Sequence, residues 1–579
     1  GVQTCALPIC MGFPAVNITG YLPVRVNPAG SPLQNDTLKT FTDSATWSKG
    51  SHTLKMGGEL RLSSNLVNNI PEGNFGTFSF TGQLAGHPAA DLFLGYPFSS
   101  SRLNPLTNRT QTDNEVGLYI NDTWKVNSRI TLDWGVRWDR FGSPSYTDGK
   151  IFNWDNQTGN VVIPEGAQIS PLYPVNTIRV VTGPVRTNPS EKNFQPRFGV
   201  AWRPWGQNWV VRGGYAMFTE QIGRFARGQG TGPYQLNETF FNNTGTILPW
   251  PNPFPAGAGA IASQSVSGYP INTENGRTHQ FNATIERQFK DVGLRLTYQG
   301  MRSYGMNYNI ETNKPQPSTT PFAQSRRPFT QFVGASFARN DGEQKFNAFT
   351  VQGQRKVGAV TFDVHWTLAS NYWNYQNLEN PYSPRFFERD PSTVRQRFVI
   401  NTVFQLPFGK GKQFLTGANR VVEQIVGGWQ LYWIAFMETG QFFTPTFAGA
   451  DPSGTNTTSG RADRIANGNL PPGERQLNRW FDVSAFTRPQ PGRFGNSGAN
   501  VLEGPGLHMH NLTLGKTFPL TERLRFTFMA AAQNIANHPN FTNPASNINA
   551  TNVGVISGTR SFAAGGGARQ IMLRGRIQF

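Results

Sequence analysis

The chain has 579 residues and a formal net charge of +18, with 15% charged and 13% aromatic residues. The charged share is well below the roughly 25% usual in soluble domains, and the richest apolar run, Leu431 to Met437, is far too short for a membrane helix of about 18 residues or more. Lys and Arg are scattered over the chain rather than gathered on a basic helix or run, which disfavours a nucleic-acid binder; a basic lumen and loops facing anionic headgroups account for the charge.

The first ten residues, GVQTCALPIC, carry both cysteines, Cys5 and Cys10, and do not resemble the rest of the chain. They look like translated adapter sequence and are set apart from the fold, which is expected over 11–579. The remainder has no cysteine, so no disulfide or thiol chemistry is expected there. No leader with a basic segment, an apolar segment and a small-residue cleavage site is visible, so the true start of the protein is expected upstream.

Paired segments with period-two patterning then recur along the chain. The first pair is Thr37 to Trp47 and His52 to Ser64, turning at Lys49-Gly50. The second is Asn114 to Val126 with Ile130 to Phe141, and the third is Gln195 to Arg203 with Asn208 to Thr219. Next come Thr278 to Phe289 with Val292 to Ser303, and Lys345 to Lys356 with Gly358 to Asn371. Val394 to Leu406 with Gly427 to Gly440, and Gly506 to Phe518 with Glu522 to Ile535, complete the pairs. In the second pair Leu132, Trp134, Val136 and Trp138 share one face, while Asp133, Arg137 and Asp139 share the other. A last strand alternates Ile571, Leu573, Gly575, Ile577 and Phe579 with Gln570, Met572, Arg574, Arg576 and Gln578.

Most links inside a pair are very short, whereas links between pairs run from about twenty to over sixty residues. Long links rich in Gly, Pro and Asn, such as Gly228 to Gly276 and Ala448 to Gly506, are expected to be surface loops. Short turns on one side and long loops on the other are the asymmetry of a membrane barrel, which must be closed because lipid cannot pair a free strand edge. The fold class predicted is therefore all-β, a transmembrane antiparallel β-barrel of about 15 strands, with short periplasmic turns and long extracellular loops. Its outer face contacts outer-membrane lipid.

Four stretches carry a family resemblance: TFTDSATWSKGSHTLKMGGELR from Thr40, RFVINTVFQLPFGKGKQF from Arg397 with GGWQLYWIAFMETGQFFTP from Gly427, the segment Trp480 to Phe528, and QNIANHPNFTNP from Gln533. In order and spacing they resemble the barrel of Oar-like TonB-dependent receptors. The resemblance implies a 22-stranded barrel preceded by a carboxypeptidase-regulatory-like domain and a plug, with transport driven by the TonB–ExbB–ExbD system. Neither preceding domain nor a TonB box is seen here, so about 15 strands of such a barrel are expected. The family reading implies uptake of a large, scarce substrate such as a siderophore or oligosaccharide. A barrel that only anchors surface-binding or adhesion loops is the alternative, and a passive porin is a third.

The sequence carries no HExxH, GxSxG or GxxxxGK[ST] pattern, so an enzyme is disfavoured, and no cofactor is implied. Gly228 to Gly232 has alternating glycines but no helix after it to cradle a phosphate. His508 and His510 share a face, yet with Leu512 and Leu514 on the lipid parity and no third ligand near, they read as rim residues rather than a metal site. The aromatic and basic loop with Tyr372, Trp373, Tyr375, Arg385 and Arg389 is the candidate ligand surface, since aromatics stack on planar ligands and Arg forks carboxylates; girdle packing is the plainer reading. Ile571, Leu573, Ile577 and Phe579 are the candidate residues for barrel closure and for engagement by the barrel assembly machinery. Replacing Phe579 with a polar residue should impair membrane insertion, read as loss of the folded, heat-modifiable species from outer-membrane fractions; unimpaired insertion would remove this role from the terminal residue.

Overall fold

The computed structural model describes residues 14–21, 23–24, 36–68, 76–104, 108–221, 232–242, 254, 259–375, 379–560 and 567–579. One antiparallel sheet dominates it. Its long strands are β1 (Asp36–Lys49), β2 (His52–Asn68), β3 (Asn108–Lys125), β4 (Ile130–Phe141) and β5 (Phe194–Trp202). They continue as β6 (Trp209–Glu220), β7 (Gly276–Phe289), β8 (Val292–Glu311), β9 (Gly334–Arg355) and β10 (Val360–Trp373). The last are β11 (Gln396–Gln405), β12 (Gln430–Glu438), β13 (Leu507–Pro519), β14 (Arg525–Gln533) and β15 (Gln570–Gln578). Each pairs with the next in chain order from β1 to β15. The sheet counts eighteen strands because three short ones, Ser145–Tyr146, Ser265–Gly268 and Glu388–Arg389, attach to its rim.

The register converts the sequence alternation into two chemically distinct walls. Ile285 lies opposite Leu296, Leu296 opposite Val351, Val351 opposite Trp366, Trp366 opposite Phe398, and Phe398 opposite Met437. This row is apolar across six neighbouring strands, and Leu296 is 43% exposed despite its position in the middle of the sheet. On the opposite parity of these strands the chemistry inverts. Glu286 accepts from Arg295 Nε at 3.0 Å, Arg295 Nη1 donates to Gln352 Oε1 at 3.2 Å, and Gln352 Nε2 donates to Asp363 Oδ2 at 2.8 Å. Further round, Arg137 joins Asp139 and Glu59 on the same inner side, and Arg61 bonds Glu59. A sheet that is polar within and greasy without is a membrane barrel, the reverse of a soluble one.

Short links 50–51, 126–129, 203–208, 290–291, 356–359 and 520–524 lie at one end of the sheet, with a longer one at 406–429. The long links leave from the other end, and here the structure adds something composition does not show. They are not bare loops but carry packed cores. Trp154 is fully buried, with Phe329, Phe332 and Phe337 edge-on at 5.1–6.3 Å, so links 142–193 and 312–333 and the start of β9 share one cluster. A second core of Phe443, Phe481, Phe486 and Leu502 fills link 439–506 and takes in Ile548 and Val553 from link 534–569. β8 and β9 rise well beyond the expected membrane segment, with register shifts around Gly305, which sits at φ +70°.

No pairing joins β1 to β15 among the described residues, and every residue of these two strands is exposed. Leu296→Arg should cost about 2–4 kcal/mol if it lies near the bilayer midplane, because it places an unpaired cation in lipid. Thr297→Arg on the lumen face should cost much less. Urea unfolding of the two variants in lipid vesicles checks the difference; equal costs would contradict the assignment of faces.

Candidate functional site

The aromatic and basic segment singled out in the sequence forms the upper end of β10 and the link after it. Tyr372 and Trp373 are adjacent on a strand and therefore point to opposite faces. Tyr372 lies in the same register row as Lys345 of β9 and Arg302 of β8, above the apolar rows. Trp373 lies opposite Gln344 on the inner parity. The structure thus divides the five candidates into two groups.

On the inner side, Trp373 meets Tyr375 edge-on at 5.0 Å, and Tyr375 stacks on Tyr308 at 5.8 Å. Arg385 lies over the Tyr308 ring at 5.5 Å and forks Asp341, Nη1 to Oδ1 and Nη2 to Oδ2 both at 2.9 Å. Tyr308 Oη donates to the same carboxylate at 2.8 Å, and Arg339 Nη2 donates at 2.9 Å. Burial pushes the Tyr375 phenol up to about 12, so it remains a neutral donor at any physiological pH. The Trp373 indole N–H is buried without a hydrogen-bond partner among the described residues. On the outer side, Arg389 Nη2 donates to Tyr372 Oη at 2.6 Å and lies over the Tyr372 and Phe442 rings at 4.9 and 4.3 Å.

A deeper set of charges, with no signal in the sequence, ties the outer links together. Arg461 is almost fully buried and forks Glu388, at 2.5 Å from Nη1 and 3.0 Å from Nη2. Its backbone N–H donates to Glu379, whose own carbonyl accepts from Lys314 Nζ at 2.6 Å. Links 312–333, 374–395 and 439–506 are thereby joined by side chains far apart in the sequence. Burial raises the Glu379 carboxyl against the lowering influence of the Arg461 backbone and charge, and burial lowers Lys314. Removing one partner from such a buried pair strands the other charge, which typically costs several kcal/mol.

Asp390 holds the turn leading into β11. It accepts from Ser392 N at 3.1 Å, Thr393 Oγ1 at 2.7 Å and Asn371 Nδ2 at 2.9 Å. His508 and His510 sit at the start of β13, where His510 stacks on Trp433 at 6.0 Å and His508 lies 5.2 Å from the His538 ring. No group of three or more His, Cys, Asp or Glu placed to hold a metal occurs among the described residues. Ile571, Leu573 and Ile577 stand on the outer face opposite Ala532, Ala530 and Phe526, and Phe579 is fully exposed one residue beyond β15. Cys5, Cys10 and Gly228 to Thr231 lie outside the described residues.

Asp390 yields a pH prediction. Burial alone would raise its carboxyl, but the hydrogen bonds from Thr393, Ser392 and Asn371 outweigh it and hold the group below its ordinary 3.8. A carboxyl depressed in the folded state contributes stability that is present above the unfolded value and lost as pH falls through the folded one. Link 374–395 should therefore loosen below pH 3.8, read as amide exchange or protease nicking, and Asp390→Asn should remove that part of the acid response. An unchanged acid profile in the variant would contradict this role.

Comparison with known proteins places this geometry. The profile of the outer membrane beta barrel domain family matches residues 2–572. No curated protein matches the chain. Among solved structures, the chain is similar to the outer membrane transporter YddB from Escherichia coli, at 11% identity and a TM-score of 0.48, covering 94% of this chain and 54% of that one. It is also similar to the ferric-catecholate import receptor Fiu from E. coli K12 (12% identity, TM-score 0.45, 94% and 55% covered). The FrpB iron transporter from Neisseria meningitidis gives 12% identity and a TM-score of 0.43, with 94% and 56% covered. The chain spans about half the length of these solved structures.

Proposed function

Because the chain belongs to the outer membrane beta barrel domain family and sits in the outer membrane, we propose that it forms the wall, lumen and outer loops of an Oar-like TonB-dependent receptor. The observation that carries this reading is the inner face. Among the fifteen long strands described, β7 to β10 carry linked Glu, Arg, Gln and Asp side chains on this face, and Arg137, Asp139 and Glu59 form a further charged group on β2 and β4. A barrel of about eight strands can fill itself with side chains, but one of this size encloses a lumen that holds water or a plug. An anchor for surface loops needs no such interior, so the polar lumen favours transport over the adhesion-anchor alternative.

On this proposal the exposed edges of β1 and β15 are closed by further strands, roughly seven if the complete barrel has the 22 that the resemblance implies. A plug with a TonB box would fill the lumen and couple it to TonB–ExbB–ExbD, since the outer membrane holds no ATP. The substrate would be large and scarce, such as a siderophore or an oligosaccharide. Trp373, Tyr375 and Arg385 would meet it at the lumen mouth, while Tyr372 and Arg389 would brace the rim beside them. Ile571, Leu573, Ile577 and Phe579 would present the closing strand to the barrel assembly machinery.

Sequencing the locus upstream tests the proposal. A reading frame that continues into a plug with a TonB box is the expected result. A genuine start at Met11 with no plug-encoding segment before it would contradict energised transport and favour the anchor.

A further inference from the structure

The link between β11 and β12, residues 406–429, is far longer than the other links at the short-turn end and carries a short helix, Arg420–Val426. Its position is set by two wall residues. Trp429 and Lys516 share the parity of Leu431 and Leu514, which lie opposite each other on the lipid face. Trp429 packs edge-on against Phe518 and Phe528, at 6.4 and 6.3 Å, on that same face. The Trp429 indole donates to the Ile425 carbonyl at 2.7 Å, and Lys516 Nζ donates to the Gln424 carbonyl at 2.5 Å. Both bonds satisfy carbonyls at the end of the helix that the helix itself leaves unpaired. The helix is therefore held against the outside of the barrel, not under its lumen.

From there it presents apolar side chains outward. Val421 and Ile425, one turn apart, are 68% and 63% exposed, and Phe408, Phe414 and Leu415 of the same link are exposed as well. Glu423, the one carboxylate of the link, is turned inward to accept from the Lys410 backbone N–H at 2.7 Å. Lys410 and Arg420 are exposed, and among the described residues neither forms an ion pair with a carboxylate. An apolar face flanked by cations, continuous with the lipid-facing wall, has the chemistry of an interfacial membrane segment.

We infer that residues 408–425 form a foot that lies in the periplasmic leaflet, with Val421, Ile425, Phe414 and Leu415 among the acyl chains and Lys410 and Arg420 at phospholipid phosphates. The occupant of this face is the phospholipid surface next to the barrel wall. The foot would fix the depth of β11 and β12, and it does not depend on what the barrel transports.

The test uses the full chain with Cys5 and Cys10 replaced by serine, folded into phosphatidylethanolamine–phosphatidylglycerol vesicles. A polarity-sensitive fluorophore is placed at Val421→Cys, Ile425→Cys or Leu415→Cys, and at Glu165→Cys in an outer link as the water-exposed reference. Heat-modifiable mobility confirms folding of each variant, and the three sites report independently should one fail. The expected result is blue-shifted emission at the foot positions, quenching by spin-labelled lipid and protection from aqueous iodide. Emission and iodide access like those at the reference position would overturn the proposal. So would blue-shifted emission that spin-labelled lipid leaves unquenched, since the cover would then be protein.

Discussion

The lipid interior offers no hydrogen-bond partner to a backbone amide, and the rest of this structure depends on that. A chain without a long apolar helix can cross lipid only by pairing each strand with its neighbours. Pairing fixes a period of two, so each strand must show one face to lipid and one to the lumen. Ile285 and Glu286, Leu296 and Arg295, Val351 and Gln352 are neighbours in sequence that end in opposite solvents. The inner groups complete one another's hydrogen bonds; the outer ones have nothing to complete. Among the described residues no pairing joins the outer edges of β1 and β15.

The strands were legible in the sequence because their cause is local. Leu132, Trp134, Val136 and Trp138 alternate with polar partners in one short window, and the observed β4 has the expected limits, Ile130 and Phe141. Limits drifted where the cause is not local. β8 runs on to Glu311 and β9 begins at Gly334, because above the membrane these strands are held by pairing with each other and no longer need lipid-facing apolar residues. The loop cores were not legible. Trp154 meets Phe332 across a long stretch of chain, and no periodicity links them. Arg385 could be seen as a cation suited to a carboxylate, but that Asp341 fills the role required the fold.

The same division applies to the mouth of the barrel. The cluster of Tyr372, Trp373, Tyr375, Arg385 and Arg389 was visible as composition, while its split between inner mouth and outer rim depends on strand parity and on the neighbours β8 and β9 supply. The buried Arg461–Glu388 pair, with Glu379 and Lys314 beside it, left no trace in the sequence pattern. It makes the outer links a braced structure. At the opposite end, the Arg420–Val426 helix does for one long turn what strand pairing does elsewhere, tying it to the outer wall through Trp429 and Lys516.

The central claim is that consecutive residues of one strand face lipid and lumen in turn, and the most direct measurement is a cysteine scan of β8 from Leu294 to Tyr298. Each position carries a spin label in vesicles and is exposed to a lipid-soluble and a water-soluble relaxation agent. The account predicts that Leu294, Leu296 and Tyr298 respond to the lipid-soluble agent, and Arg295 and Thr297 to the aqueous one. A response that is uniform along the five positions, or reversed between the two sets, would contradict it.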